Sequence, residues 1–343
     1  MDSLTNKKRI DYIDLSKGIC ILLVVLTHSE SSFEVTSCFD FALTSFRMPL
    51  YFMLSGLFFK DYDTIYIFLR KKINKLLIPF IFFYVVIALI FPLLTKNIRP
   101  ELVKNEGIEY FFSLYWENMN GMPMGIWFLW CLFLVNIFFY ILYELSIGWL
   151  ENNKHLSLTF LITASLLLGS LGFYLGYNRI NLPLYIDSAL TSLPFFCCGY
   201  LLRQKTNILY PNKYDKYLSI ISIILFVIVF TLADDFVSFR QNHYNINLLY
   251  LYVCGIIGAL AILLIGKKIN KIRYISFMGR YSIMILCSHQ IILLFIVTLL
   301  KHFDCEGWFA TIVSFIITSV ISYILIYPMK KYFPYVTAQK DLL

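Results

Sequence analysis

A histidine in the middle of a long apolar run is a base held away from bulk water, and this chain has two. His28 lies in a run that opens near residue 15, and His289 in one that opens near residue 281. Imidazole is the side chain whose ordinary pKa lies nearest neutrality, which suits a buried one to proton transfer. His28 has ionisable company, because Asp14 and Lys17 precede it in the same run. At about 100° per residue the three fall on one narrow face, with Lys17 and His28 only about 20° apart. The eleven residues between them make His28 roughly 16 Å deeper than Lys17. Ionisable groups are costly in hydrocarbon, so this face must look into a helix bundle or an aqueous cleft. A plainer reading is an Asp14–Lys17 pair at the helix start and a His28 hydrogen-bonded to a neighbouring helix. His289 follows Arg280 by nine residues and has Ser288 and Gln290 beside it, a set equally suited to hydrogen bonds between helices. In Arg47-Met48-Pro49 the proline suits the first turn of a helix, which puts Arg47 at a helix start on the outer side. Ser55-Gly56, further along, allows close packing or a small cavity. Trp127, Phe128 and Trp130 read as an interfacial aromatic belt.

The elements that must carry these residues are transmembrane helices. Of 343 residues, 59% are hydrophobic and 15% charged, against roughly 25% charged in a soluble domain. Apolar runs of about 20 residues, long enough to span a bilayer, fall near 15–34, 41–59, 76–95, 125–144, 157–176, 184–202, 217–233, 246–265, 281–300 and 308–328. The longest connection is 96–124. The expected fold is an all-α integral membrane protein of about ten transmembrane helices, a single domain over residues 1–343 with no separate soluble part. The first run follows Lys7, Lys8 and Arg9 without a small-residue cleavage site after it, so it reads as a retained helix. If the spans alternate from a cytoplasmic N-terminus, only Arg47, Lys96, Arg99, Lys104, Arg179, Arg240 and Lys301 of the 29 lysines and arginines fall outside. That is the positive-inside asymmetry, with both termini cytoplasmic, in a multi-pass protein of the inner or plasma membrane.

The net charge of +8 therefore records orientation, and a nucleic-acid partner is not expected. The basic clusters at 70–75 and 267–280 suit anionic membrane lipid and phosphate-rich ligands alike. No Walker loop, dinucleotide fingerprint or metal-ligand cluster is present. The eight cysteines have no metal-like spacing. Six lie in apolar runs, while Cys38 and Cys305 fall in external loops, where a disulfide is open to them. Two other external loops carry Glu101, Glu106, Glu109 and Glu117, and Asp234, Asp235 and His243; either set meets a polar substrate or is simply solvated.

Five segments resemble the acyltransferase-3 family of integral membrane acyltransferases, which modify sugars and polysaccharides. They are Arg9-x-x-Tyr12-Ile13-Asp14-x-x-Lys17-Gly18-Ile19, running on to His28; Phe46-Arg47-Met48-Pro49 through Ser55-Gly56; Lys71-Lys72-Ile73-Asn74-Lys75 through Pro79-Phe80; Trp127-Phe128-Leu129; and Gly279-Arg280-Tyr281-Ser282, running on to His289. The resemblance implies a cytoplasmic acyl-CoA donor, acetyl-CoA above all, with succinyl donors also used in the family, and a carbohydrate hydroxyl as acceptor on the outer side. Its basic-residue-x10-histidine motif falls on Lys17 and His28, where family members usually have Arg at the first position. Many members have His at the position of Arg47. On this resemblance His28 is the general base, acting directly or through an acyl-His28 intermediate. Lys17, Lys71, Lys72, Lys75 and Arg280 hold the CoA phosphates, and Arg47 steers the acceptor or stabilises developing negative charge. His289, Ser55 and Asp14 are second-rank site residues. Longer members carry an extracytoplasmic hydrolase-like domain that this sequence lacks. The expected acceptor is therefore smaller or lipid-linked, or is reached with a polysaccharide synthase or export protein. A rival reading is an exporter or flippase of polysaccharide or lipid-linked sugar, with the polar stripe as its pathway.

Overall fold

The computed structural model describes residues 9–35, 39–98, 125–149, 153–232 and 235–343. Among these residues every regular element is helical, apart from one antiparallel bridge between Ser238 and His243. The helices are α1 (Asp11–Ser32), α2 (Asp40–Leu57), α3 (Ile65–Lys72), α4 (Ile78–Ile98), α5 (Trp127–Trp149) and α6 (Lys154–Tyr177). They continue with α7 (Ile186–Lys205), α8 (Leu218–Leu232), α9 (Leu248–Ile269), α10 (Arg273–Arg280), α11 (Ser282–His302) and α12 (Gly307–Tyr332). A π-turn, Ile73–Leu77, joins α3 to α4.

Backbone in hydrocarbon has no water to bond to, so apolar runs of this length settle as helices that satisfy their own amides. Polar residues mark where they begin. The Thr64 hydroxyl accepts from the Ile67 amide at 3.3 Å, and the Asn247 side chain accepts from the Tyr250 amide at 2.7 Å. The Asn153 side chain accepts from the His155 and Leu156 amides, both at 3.2 Å. These are N-caps that take up donors the first turn leaves unpaired.

A helix occupies each of the ten stretches read from the sequence. Among the described residues seven helices, α1, α5, α6, α7, α9, α11 and α12, are long and apolar enough to cross a membrane. Their outward faces are greasy: Leu167 on α6 is 72% exposed and Phe309 on α12 is 69% exposed. Large exposed apolar faces of this kind belong in lipid. Inside the bundle α1 packs against α2, α9, α10, α11 and α12, and α2 packs against α7 and α9.

Two local readings need correction. α2 begins at Asp40, so Pro49 lies inside the helix and Arg47 two turns in. The helix extends this far because Ala42, Leu43, Thr44 and Ser45 are buried against the bundle. Trp127 and Phe128 are core residues, 7% and 3% exposed, and Trp130 donates its indole N–H to the Leu184 carbonyl at 2.8 Å. The basic segments around 70 and 273–280 form the short helices α3 and α10. Cys38, the glutamates of 99–124 and Asp234 lie outside the described residues.

Candidate active site

Two backbone contacts build the basic end of the bundle. A Cβ on Gly279 would meet the Asp14 carbonyl oxygen at 1.8 Å, and one on Gly18 would meet the Ile275 carbonyl oxygen at 2.0 Å. Only glycine allows α10 and α1 to touch so closely, and this contact brings Arg280, at the end of α10, to the same cavity as Lys17 on α1. Across the cavity, the π-turn buries Asn74 and Leu76 and leaves Lys75 on the rim. Lys71 sits over the Tyr62 ring at 5.1 Å and Lys72 over the Phe68 ring at 5.8 Å, a hold that leaves ammonium donors for a ligand. Lys75 donates to the Ala338 carbonyl at 3.0 Å and pairs with Asp341 at 2.9 Å.

Arg9, Lys17, Lys71, Lys72, Lys75 and Arg280 thus line one cavity of about 700 Å³. It deepens past Ser55 and Tyr51 to Phe128, Leu129 and Leu286. Tyr51 is held there by its hydroxyl, which donates to the Lys17 carbonyl at 3.1 Å. Asp14 is not among the lining residues. Both of its carboxylate oxygens accept from Arg9, which lies just before α1, so its partner is Arg9 rather than Lys17. Burial, with Lys71 alongside, pushes the Lys72 ammonium down to about 8.

The two histidines meet beyond the far end of this cavity. Leu286 marks its end on α11, and His289 is one turn further on, roughly 4.5 Å. The rings of His28 and His289 lie with centroids 5.3 Å apart at an interplanar angle of 40°. His289 is fully buried, and its Nδ1 lies 2.8 Å from the Ile285 carbonyl, to which it donates. That bond leaves Nε2 as the acceptor nitrogen, and Nε2 has no hydrogen-bond partner among the described residues. The Gln290 amide nitrogen lies 3.0 Å from Nε2 and 3.2 Å from Nδ1 of His28. One amide within reach of both ring nitrogens fixes where the imidazole sits.

Arg47 and Arg240 both lie within electrostatic reach of His28. Arg47 was expected at the outer mouth, but the Cys20 thiol donates to its carbonyl at 3.0 Å. Its backbone therefore lies at the depth of Cys20, three residues above Lys17. The reason is the early start of α2, which carries Arg47 into the bundle. Its Nη1 is buried with no hydrogen-bond partner among the described residues.

Arg240 is a site residue that the sequence reading left in an external loop. It sits on the turn closed by the Ser238–His243 bridge, next to Phe239, which is 2% exposed. The turn is pinned into the bundle by Asn242, which accepts from the Thr191 hydroxyl at 2.9 Å and donates to the Gly172 carbonyl at 3.0 Å. The apolar Phe236, Val237 and Phe239 around a lone arginine were the available signal that this turn dips inward.

Fold and site together define a multi-pass, helical membrane protein with a basic cavity that stops one turn short of two facing imidazoles, His28 partly buried and His289 fully buried. The family model described as an acyltransferase domain, Acyl_transf_3, matches residues 10–327, and the chain belongs to that family of acyltransferases. No curated protein and no solved structure gives a significant match to the chain.

Proposed function

We propose that this protein moves an acyl group, acetyl foremost, from cytoplasmic acyl-CoA to a hydroxyl of an extracytoplasmic or lipid-linked sugar or polysaccharide. It does so from the inner or plasma membrane, with about ten spans and both termini in the cytoplasm. The observation that carries this reading is the cavity itself. Six cations line it, a match for the phosphates of a CoA thioester, and its far end stops one turn short of His289 and the facing His28. A donor with its phosphates at the basic end would extend its thioester toward the imidazoles.

The chemistry then needs no further group. His28 accepts the proton of the acceptor hydroxyl as the oxygen attacks the thioester carbonyl. The new C–O bond forms, the C–S bond breaks, and the thiolate leaves with a proton returned from the imidazolium. Arg47, with a buried Nη1 lacking a partner, and Arg240 stabilise the anionic tetrahedral stage or orient the acceptor. Ser55 lines the donor path. A polysaccharide synthase or export protein is the expected partner for presenting the acceptor.

The test is transfer from radiolabelled acetyl-CoA into cell-envelope glycans, comparing membranes that carry the intact protein with membranes that carry His28→Ala at matched expression. Loss of a general base lowers the rate by about 10²- to 10⁴-fold. Equal labelling by both proteins sinks the role given to His28.

A further inference from the structure

The turn that delivers Arg240 inward has a second face. α9 runs from Leu248 on this turn to its C-terminus beside α1, where a Cβ on Gly266 would meet the Ser16 hydroxyl oxygen at 2.2 Å. Because that is the start of α1, the turn lies at the opposite end of the bundle from the basic cavity. There it walls a second cavity of about 200 Å³ together with the end of α6. By volume this is the space of roughly six or seven waters, enough for one six-membered ring bearing hydroxyls and too little for a folded chain.

The lining narrows the chemistry. Arg179, Asp235, Gln241, His243, Asn245 and Tyr244 all face it. Two amides, an imidazole, a carboxylate and a guanidinium offer donors and acceptors together, and a tyrosine ring supplies an apolar wall. A simple anion would meet Asp235, and a simple cation would meet Arg179. A ligand dense in hydroxyl groups, each both donor and acceptor, uses the whole set. The Nε2 of His243 is buried with no hydrogen-bond partner among the described residues, a group that a ligand hydroxyl would satisfy. The wall is also rigid, because Asn242 is fully buried and bonded on both sides of its amide.

Gln241 lines this cavity and its neighbour Arg240 lies within reach of His28. The two residues are consecutive, so one turn carries a group toward each place. We infer that this cavity is a glycan subsite, which holds a sugar residue of the acceptor other than the one that is acylated. This rests on the carbohydrate-acceptor reading above and narrows it: the acceptor has at least two linked sugars.

The experiment uses the full chain in lipid nanodiscs, applied to an array of neutral and acidic oligosaccharides, with Gln241→Ala/Asn245→Ala as the variant. Both residues are exposed, and matched thermal melting would confirm that the variant is folded. The expected result is that the intact protein and His28→Ala bind the same oligosaccharides of two or more units. The double variant binds them about tenfold more weakly. Absence of any glycan binding by the intact protein, or equal binding by the double variant, overturns the subsite. Thioester cleavage of acetyl-CoA is followed in the same nanodiscs. Cleavage without glycan binding leaves the acyltransferase reading intact and removes the subsite. Glycan binding that depends on Gln241 and Asn245 without cleavage upholds the subsite and removes the proposed donor chemistry.

Discussion

Lys72 makes the donor-binding reading depend on pH in a calculable way. Its ammonium is pushed from an ordinary 10.5 down to about 8 by burial first and by Lys71 second. At about 1.36 kcal/mol per tenfold, the charged form is disfavoured in the fold by something on the order of 2–3 kcal/mol, allowing for partial exposure. The sign for stability follows from proton counting: between about pH 8 and 10.5 the unfolded chain binds the extra proton. Stability therefore rises with pH across that window as the penalty of burying a charge is relieved. The sign for donor binding is opposite, because a phosphate needs the ammonium charged. With a midpoint of about 8, the charged fraction falls from about 90% at pH 7 to about 10% at pH 9. Affinity for a CoA thioether analogue should fall by nearly tenfold over that range. In Lys72→Gln the affinity at pH 7 should already be lowered, by a factor of about five to ten, and most of the dependence near pH 8 should be gone. Calorimetric titration of both proteins in nanodiscs from pH 6.5 to 9.5 measures this. An intact protein with flat affinity through pH 8, or a variant with an undiminished slope, refutes the assignment of Lys72 to the donor phosphates.

Two further outcomes follow from side-chain hydrogen bonds. Gln290→Leu removes the amide that lies 3.0 Å from His28 Nε2; a bond of this kind contributes roughly 1 kcal/mol, so kcat should drop about fivefold with the donor KM unchanged. A rise in donor KM instead would show that Gln290 acts on the donor cavity and not on the base. Asn74→Ala removes the side chain that accepts from the Leu342 and Leu343 amides at 2.7 and 3.0 Å. Hydrogen exchange at those two amides should quicken by about fivefold or more, while α1 and α11 keep their protection. Unchanged exchange would mean that the segment after α12 is held by other contacts.

Helix positions were legible because a bilayer asks for an uninterrupted apolar run, and such a run shows in one dimension. The Lys17–His28 stripe was legible for the same reason, since helical period fixes which residues share a face. What periodicity does not carry is which face meets which. The pairing of His28 with His289 joins residues far apart in the chain, and its register depends on close helix contacts such as that of Gly18 in α1 with Ile275 in α10. Arg47 was misplaced because a proline was read as a first-turn marker, although buried residues ahead of it extend α2 by more than two turns. The plainer reading of Asp14 paired it with Lys17 on its own helix, whereas its partner, Arg9, stands before the helix begins. Arg240 was missed because a polar turn between spans is ordinarily solvated, and only its flanking phenylalanines hint otherwise. The five basic residues chosen for the donor phosphates do line one cavity, on segments that sequence patterning alone did not bring together.

The placement of the imidazoles beyond the far end of the cavity has an electrical side. In a turnover of the proposed kind, the proton leaves a hydroxyl on the outer side and departs with the thiol toward the basic end. The acyl group travels the other way as the formal acyl cation exchanged for that proton, so alcohol and ester outside, and thioester and thiol inside, each keep their charge. No net charge crosses the membrane, and the transmembrane potential neither drives nor opposes the proposed transfer. The free-energy difference between thioester and ester alone drives it, with no nucleotide hydrolysed for the purpose.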